Sequence, residues 1–239
     1  MNTPKEHYRG NLPHFQQPGQ WYFITCTLAG AIPKNVQLSI SENFRNASER
    51  YHQIKSKIPS EKEIKPIKQE YYEARKKYFR AQEHILHNSS ASMINLVESK
   101  NLKIIEDALR FWEGKRLHNH AWCIMPNHFH WVVSLFKNDE NKKPVYLQDI
   151  THSIKRFTAR QINKNENKEG QFWIHESFET TIRNDQHFVN VVDYTLNNPV
   201  KAGFVDDWRK WHGSYLEPDL IFNNVFSDEF HEGVDEIKI

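Results

Sequence analysis

The sequence has only two cysteines, Cys26 and Cys123. They form neither a metal-type spacing nor a disulfide framework, and such sparse usage suits a reducing cytoplasm. No apolar run approaches the length of a membrane span. The first ten residues carry charge but no apolar segment, so no secretion signal is expected there. A strong charge of either sign is also missing: the formal net charge is +2. That balance does not by itself announce a nucleic-acid partner. Internal repeats and low-complexity segments are absent as well. What remains is 239 residues with 38% hydrophobic and 26% charged content. This composition belongs to a globular protein able to bury a sizeable core.

The most informative stretch is Met125-Pro126-Asn127-His128-Phe129-His130, followed by Trp131-Val132-Val133. On a strand, alternate side chains share a face. His128 and His130 then point one way, while Phe129, Trp131 and Val133 point toward a core. Two imidazoles fixed side by side make half of a divalent-metal site. Taken alone, the pair is a weak signal and reads more readily as two surface histidines on a half-exposed strand.

Around this stretch the pattern predicts strand one over Trp21–Leu28 and a long polar helical region over 41–87, interrupted near Ile58-Pro59-Ser60. The lysine- and glutamate-rich section 55–80 reads as a solvated face extending a core helix. An amphipathic helix over 99–112 follows, with Leu102, Ile105, Ala108, Leu109 and Trp112 on one stripe. Strands two and three are expected over 116–125 and 128–136, with His118 and His120 partly exposed. The helix over 147–163 should face Leu147, Ile150, Ile154 and Phe157 inward and Lys155, Arg156 and Arg160 outward. Strand four is expected over Phe178–Ile182, then a helix capped by Asn184 or Asp185 that carries Tyr194.

The order is βαββαβ, so the fold class is α+β: a ferredoxin-like antiparallel sheet with helices on one face. To it are added an extra C-terminal tyrosine-bearing helix and an extended first helical region. Residues 1–216 are expected to form one domain, with a helical insertion at about 41–98. Residues 217–239 are expected to be a loosely held acidic tail.

Tyr194 and Asn198 are four apart and should share a helical face. A phenol beside a metal can attack a phosphorus centre covalently, and an amide oxygen one turn away would supply a third ligand. The plainer readings are a core tyrosine and a helix-terminal asparagine before Pro199. The contiguous His118-Asn119-His120 spells the name of a nuclease motif whose residues are not contiguous, and it carries no weight.

Several segments, in order, resemble those of the REP-associated tyrosine transposases, members of the HUH single-tyrosine transposase superfamily. They are Trp122 to His130, His152-Ser153-Ile154-Lys155-Arg156-Phe157-Thr158, Phe172-Trp173 through Phe178, and Asp193-Tyr194-Thr195-Leu196-Asn197-Asn198-Pro199-Val200-Lys201-Ala202-Gly203. Tyr8 to His14 and Trp21-Tyr22-Phe23 match the N-terminal part of one subgroup. Ile174 stands where glutamine is common, and Thr195 replaces the usual isoleucine.

The resemblance implies His128, His130 and Asn198 as ligands of Mg²⁺ or Mn²⁺. It implies Tyr194 as the nucleophile that cleaves single-stranded DNA at repetitive palindromic hairpins and leaves a 5′-phosphotyrosine. DNA contacts are expected from Arg9, His14, Lys155, Arg156, Arg160 and Trp173. The chain is expected to be a cytoplasmic, nucleoid-associated monomer or homodimer with no membrane partner. Two rivals stand beside this reading: a hairpin-binding protein of the same fold without catalysis, and a metal hydrolase using bound water.

Overall fold

The computed structural model describes residues 7–9, 13–88 and 94–222. Strands β1 (His7–Arg9) and β2 (Pro13–Phe15) form a two-stranded ribbon. Strand β3 (Trp21–Thr27) precedes a helical pair, α1 (Lys34–Lys55) and α2 (Glu61–Asn88). Helix α3 (Ser99–Arg110) leads to strands β4 (Leu117–Ile124) and β5 (His128–Leu135), then helix α4 (Leu147–Asn165) and strand β6 (Phe178–Ile182). Helix α5 (Asp185–Leu196), the short α6 (Asn198–Lys201), β7 (Ser214–Leu216) and α7 (Pro218–Phe222) complete the described chain. Among the described residues no helix is long and apolar enough to cross a membrane.

The main sheet runs β6-β3-β5-β4-β7, with each neighbouring pair antiparallel. Its first four strands have the order of a split βαβ fold, and β7 is added at the β4 edge. Alternation divides the side chains between two cores. Tyr22, Ile24, Phe129, Trp131 and Val133 join Ile105 and Leu109 of α3 and Ile150 and Ile154 of α4. Phe23, Ala121 and Val132 join Phe79 of α2 and Val191, Val192 and Tyr194 of α5. The two crossover helices therefore share one face, as expected, while α5 and the end of α2 close the other.

The long polar region differs from its expected form. It begins at Lys34 rather than at residue 41, directly after Pro33. It does not extend α3 but doubles back on itself, with Ile58 at φ 53° in the reversal. Phe44 stacks on Tyr78 and Tyr51 on Tyr71 along the antiparallel pair. Phe79 then meets Phe178 of β6, centroid to centroid at 4.6 Å, and lays the end of α2 over the sheet.

Two smaller corrections have local causes. Phe157 is 47% exposed, because Thr158, one step round the helix, takes the inward position. His120 is buried, because the β4 register slips between Asn119 and Ala121. Such a bulge re-aims a side chain. His120 bonds Ser134 Oγ at 2.9 Å and Glu217 Oε2 at 2.7 Å and stacks on Trp21. The tail expected to be loose is thus pinned at its first residue; residues 223–239 lie outside the described residues.

Candidate active site

Strand β5 delivers His128 and His130 to the face covered by α2 and α5. Both are fully buried, with ring centroids 4.8 Å apart. His130 Nδ1 lies 2.9 Å from Thr25 Oγ1 on the neighbouring strand. His128 Nδ1 lies 2.7 Å from Asn127 Oδ1. Each ring is therefore oriented through one nitrogen, leaving Nε2 to face the site.

Helix α5 starts at Asn184, whose side chain accepts the His187 backbone N–H at 2.8 Å. A cap of this type stabilises a helix by about 1 kcal/mol. It fixes the first turn of the helix that brings Tyr194 against His130, at a ring separation of 5.3 Å. Asn198 is not on α5. That helix ends at Leu196, and Asn198 opens α6 with Pro199 next to it. Its Nδ2 still lies 3.0 Å from His130 Nε2, and its Oδ1 lies 3.2 Å from His87 Nε2.

Two residues of α2 that the sequence did not mark stand at the centre. Tyr194 Oη donates to Glu83 Oε2 in a short hydrogen bond. The same oxygen lies 3.2 Å from His130 Nε2 and accepts from Asn198 Nδ2 at 3.3 Å. Glu83, His87 and His128 each offer a ligand atom, all within 4.8 Å of one another. The signal that could have found them is the i,i+4 spacing of Glu83 and His87 on one helix face.

These residues fit a divalent cation on internal grounds. Glu83 Oε1 and His128 Nε2 are buried without a hydrogen-bond partner. Leaving such atoms unsatisfied costs roughly 1–3 kcal/mol each. His130 Nε2 faces a donor, Asn198 Nδ2, and an acceptor, Glu83 Oε2, and cannot serve both. An ion among them would engage both orphan atoms. The ligand group offered by the described residues is Glu83, His87 and His128, with His130 and Asn198 adjoining. This differs from the expected set of His128, His130 and Asn198.

The electrostatics suit the same role. Burial pushes the Glu83 carboxyl up, but His130, His128 and the Tyr194 hydroxyl pull harder and hold it well below the usual carboxylate range. Burial, then the His130 charge, pushes His128 down to about 3, so its ring is neutral and its lone pair available. Burial and then the Glu83 charge raise Tyr194 well above an ordinary phenol.

Linkage turns the first two shifts into an expected pH response. Between about pH 6.5 and 3 the unfolded chain binds a proton at residue 128 that the folded chain refuses. Glu83 acts in the same direction at lower pH, below the ordinary carboxylate pKa. The melting temperature should therefore fall as pH drops from 7 toward 4. His128→Phe should flatten the upper part of that fall. A His128→Phe curve parallel to wild type would refute the assignment.

The expected DNA contacts are not gathered at this site. Arg156 and Arg160 are exposed on α4, which packs on the opposite face of the sheet from Tyr194. Lys155 Nζ donates to the Ile174 and His175 carbonyls at 2.9 and 3.1 Å, tying α4 to the segment before β6. Trp173 is 5% exposed and donates its Nε1–H to Thr158 Oγ1 at 2.9 Å. It packs edge-on to Phe129, so its ring serves the core rather than a base. Arg9 and His14 belong to the β1–β2 ribbon, with Arg9 opposite Pro13 and Tyr8 opposite His14.

No family model matches the chain. It is 35% identical over 108 residues to a protein of Haemophilus influenzae named "Putative REP-associated tyrosine transposase", covering 42% of this chain and 59% of that one. It is 29% identical over 100 residues to the "REP-associated tyrosine transposase" of Escherichia coli, covering 42% of this chain and 54% of that one. The matches thus span little more than half the length of these relatives. A solved structure titled "Structure of the REP associates tyrosine transposase bound to a REP hairpin" superposes with a TM-score of 0.53. That match covers 97% of this chain and 94% of the other at 15% identity, a likeness of fold.

Proposed function

We propose that this chain, a relative of the REP-associated tyrosine transposases, cleaves and rejoins single-stranded DNA at palindromic hairpins through a covalent tyrosine intermediate. The observation that carries the reading is the hydrogen bond from Tyr194 Oη to Glu83, inside a buried group of histidines. A buried structural tyrosine needs a hydrogen-bond partner, but not one that also belongs to a buried acid–histidine group. A hydrolase using bound water would have no use for a phenol there.

Tyr194 Oη attacks the phosphorus of the scissile phosphodiester. Glu83 Oε2, already its hydrogen-bond acceptor, orients the hydroxyl, and the phenolic proton passes to solvent as the bond to phosphorus forms. The bond from phosphorus to the 3′ oxygen breaks and solvent protonates the departing oxygen, leaving a 5′-phosphotyrosine and a 3′-hydroxyl. In the reverse direction a 3′-hydroxyl gives its proton to solvent and attacks the phosphotyrosine, and the departing phenolate is reprotonated from solvent beside Glu83. Glu83 Oε1, His87 Nε2 and His128 Nε2 would hold Mg²⁺ or Mn²⁺. When bound there, the ion supplies Lewis-acid polarisation of a non-bridging phosphoryl oxygen and offsets the charge developing in the transition state. His130, fixed by Thr25 and Asn198, positions Glu83 and so aims Tyr194.

The test is to incubate the protein with an end-labelled single-stranded hairpin and Mn²⁺ and to run a denaturing gel. A labelled protein band is expected. Cleaved DNA without a labelled protein would replace this reading with hydrolysis, and bound but uncut DNA would replace it with binding alone.

The hairpin itself is proposed to touch Arg156 and Arg160. Changing both to alanine should weaken hairpin binding and reduce the slope of log K against log salt by about 1.4, two single-strand phosphate contacts at about 0.7 each. An unchanged slope in a salt titration would remove this face from the DNA path.

A further inference from the structure

A cavity of about 260 Å³ opens between α1, the C-terminal half of α2 and the segment leading into β6. Lys34, Gln37 and Arg45 of α1, Gln82 of α2 and Phe178 of β6 line it. Its inner wall reaches the candidate active site by two routes. Thr27, in the lining, is paired across the sheet with His128. Gln82, also in the lining, directly precedes Glu83.

The chemistry of the wall is mixed in a particular way. Lys34 and Arg45 bring positive charge, against a single carboxylate in the lining, Glu176. Phe178 and Tyr78 are buried in the lining, the first ring packed by Phe79 and Arg75 and the second by Phe44, and Tyr78 Oη accepts from Gln82 Nε2 at 2.7 Å. Gln37 and Gln82 bring amides. Amides suit the edge of a nucleobase, and cations suit its phosphate. Pockets for small ligands run from roughly 300 to 1,000 Å³. A cavity just below that range admits one nucleotide and not a base pair.

We infer that this cavity receives a single nucleotide flanking the scissile phosphate and so selects the base beside the cut. The inference rests on the proposed DNA-cleaving function. It goes further in assigning specificity to α1, a helix that contributes none of the ligand or nucleophile atoms. With Lys34 and Arg45 on the flanking phosphate, the neighbouring one is directed toward Glu83 and His128.

The test is a binding selection. A pool of single-stranded hairpins with four randomised nucleotides on each flank is offered to wild type, Gln37→Ala and Leu38→Trp, and the bound DNA is sequenced. Leu38 is 57% exposed and in the lining, so tryptophan can fill the cavity without disturbing the core. Wild type should enrich one base at one flanking position by about tenfold, the size of a good edge contact. Both variants should lose that enrichment while keeping hairpin binding. Variants with the wild-type profile, or a wild type with no preference at any flanking position, would overturn the inference.

Because selection requires no cleavage, the two readings fail separately. A wild type that selects a base but forms no covalent adduct removes the cleavage and keeps the pocket. A wild type that forms the adduct while its variants keep the profile removes only the pocket. A wild type that binds none of the pool overturns both.

Discussion

Tyr194→Phe should abolish the covalent protein–DNA adduct while leaving hairpin binding within about twofold, since one hydroxyl is the whole chemical change and it faces the site. Tyr194 is 5% exposed, and its ring packs at 5.9 Å from Phe23 and 5.6 Å from Phe79. Phenylalanine keeps those contacts. The lost hydrogen bond frees one more oxygen lone pair on Glu83, a cost of about 1–3 kcal/mol if nothing replaces it. That penalty is readable in a melting curve and is too small to unfold a domain of this size. Other tyrosines are poorly placed to substitute. Tyr22 donates its hydroxyl to the Gln17 carbonyl and points into the α3–α4 core. Tyr78 is engaged by Gln82, and Tyr71 stacks on Tyr51 within the helical pair. An adduct formed by Tyr194→Phe at the wild-type rate would end the mechanism.

The second large effect is on ion binding. Glu83→Gln should lower Mn²⁺ affinity at least about 100-fold, measured by calorimetry or by the electron paramagnetic resonance of free Mn²⁺. The substitution keeps shape and removes the one carboxylate in the ligand group, and hard cations depend on charged oxygen. His87→Ala should act in the same direction. Asn198→Ala should cost only the roughly 10–100-fold typical of residues that orient ligands, because its amide bridges His87 and His130. The ranking decides between the two ligand sets. If Asn198→Ala loses the ion and Glu83→Gln keeps it, the ligands are those implied by the sequence resemblance and α2 is only a cover.

That ranking also marks the limit of what local pattern reveals. The period of two in β5 is a local property, and alternation alone puts His128 and His130 on one face. Asn184 and the apolar spacing of α5 are likewise local, and they put Tyr194 on a helix. Glu83 and His87 were hidden for a physical reason. On a helix rich in lysine and glutamate, an i,i+4 acid–histidine pair reads as solvated. Only the reversal at Ile58 and the Phe79–Phe178 contact, which joins residues far apart in the chain, turn that face inward. Trp173 misled in the opposite direction. An aromatic residue in a signature segment suggests a platform for bases, but its indole is held by Thr158, a contact invisible to local pattern. Phe157 fell one position outside its stripe for the same reason.

The Tyr194–Glu83 hydrogen bond joins α5 to α2 across the mouth of the site. It ties the phenol on one helix to the carboxylate and imidazole on another, so the set is complete only while the end of α2 lies over the sheet. Apparent affinity for the ion is then the intrinsic affinity scaled by the fraction of molecules in that docked arrangement. A disulfide engineered between α2 and α5 should leave adduct formation intact; an adduct that appears only after reductant is added would show that α2 has to leave before a strand can enter.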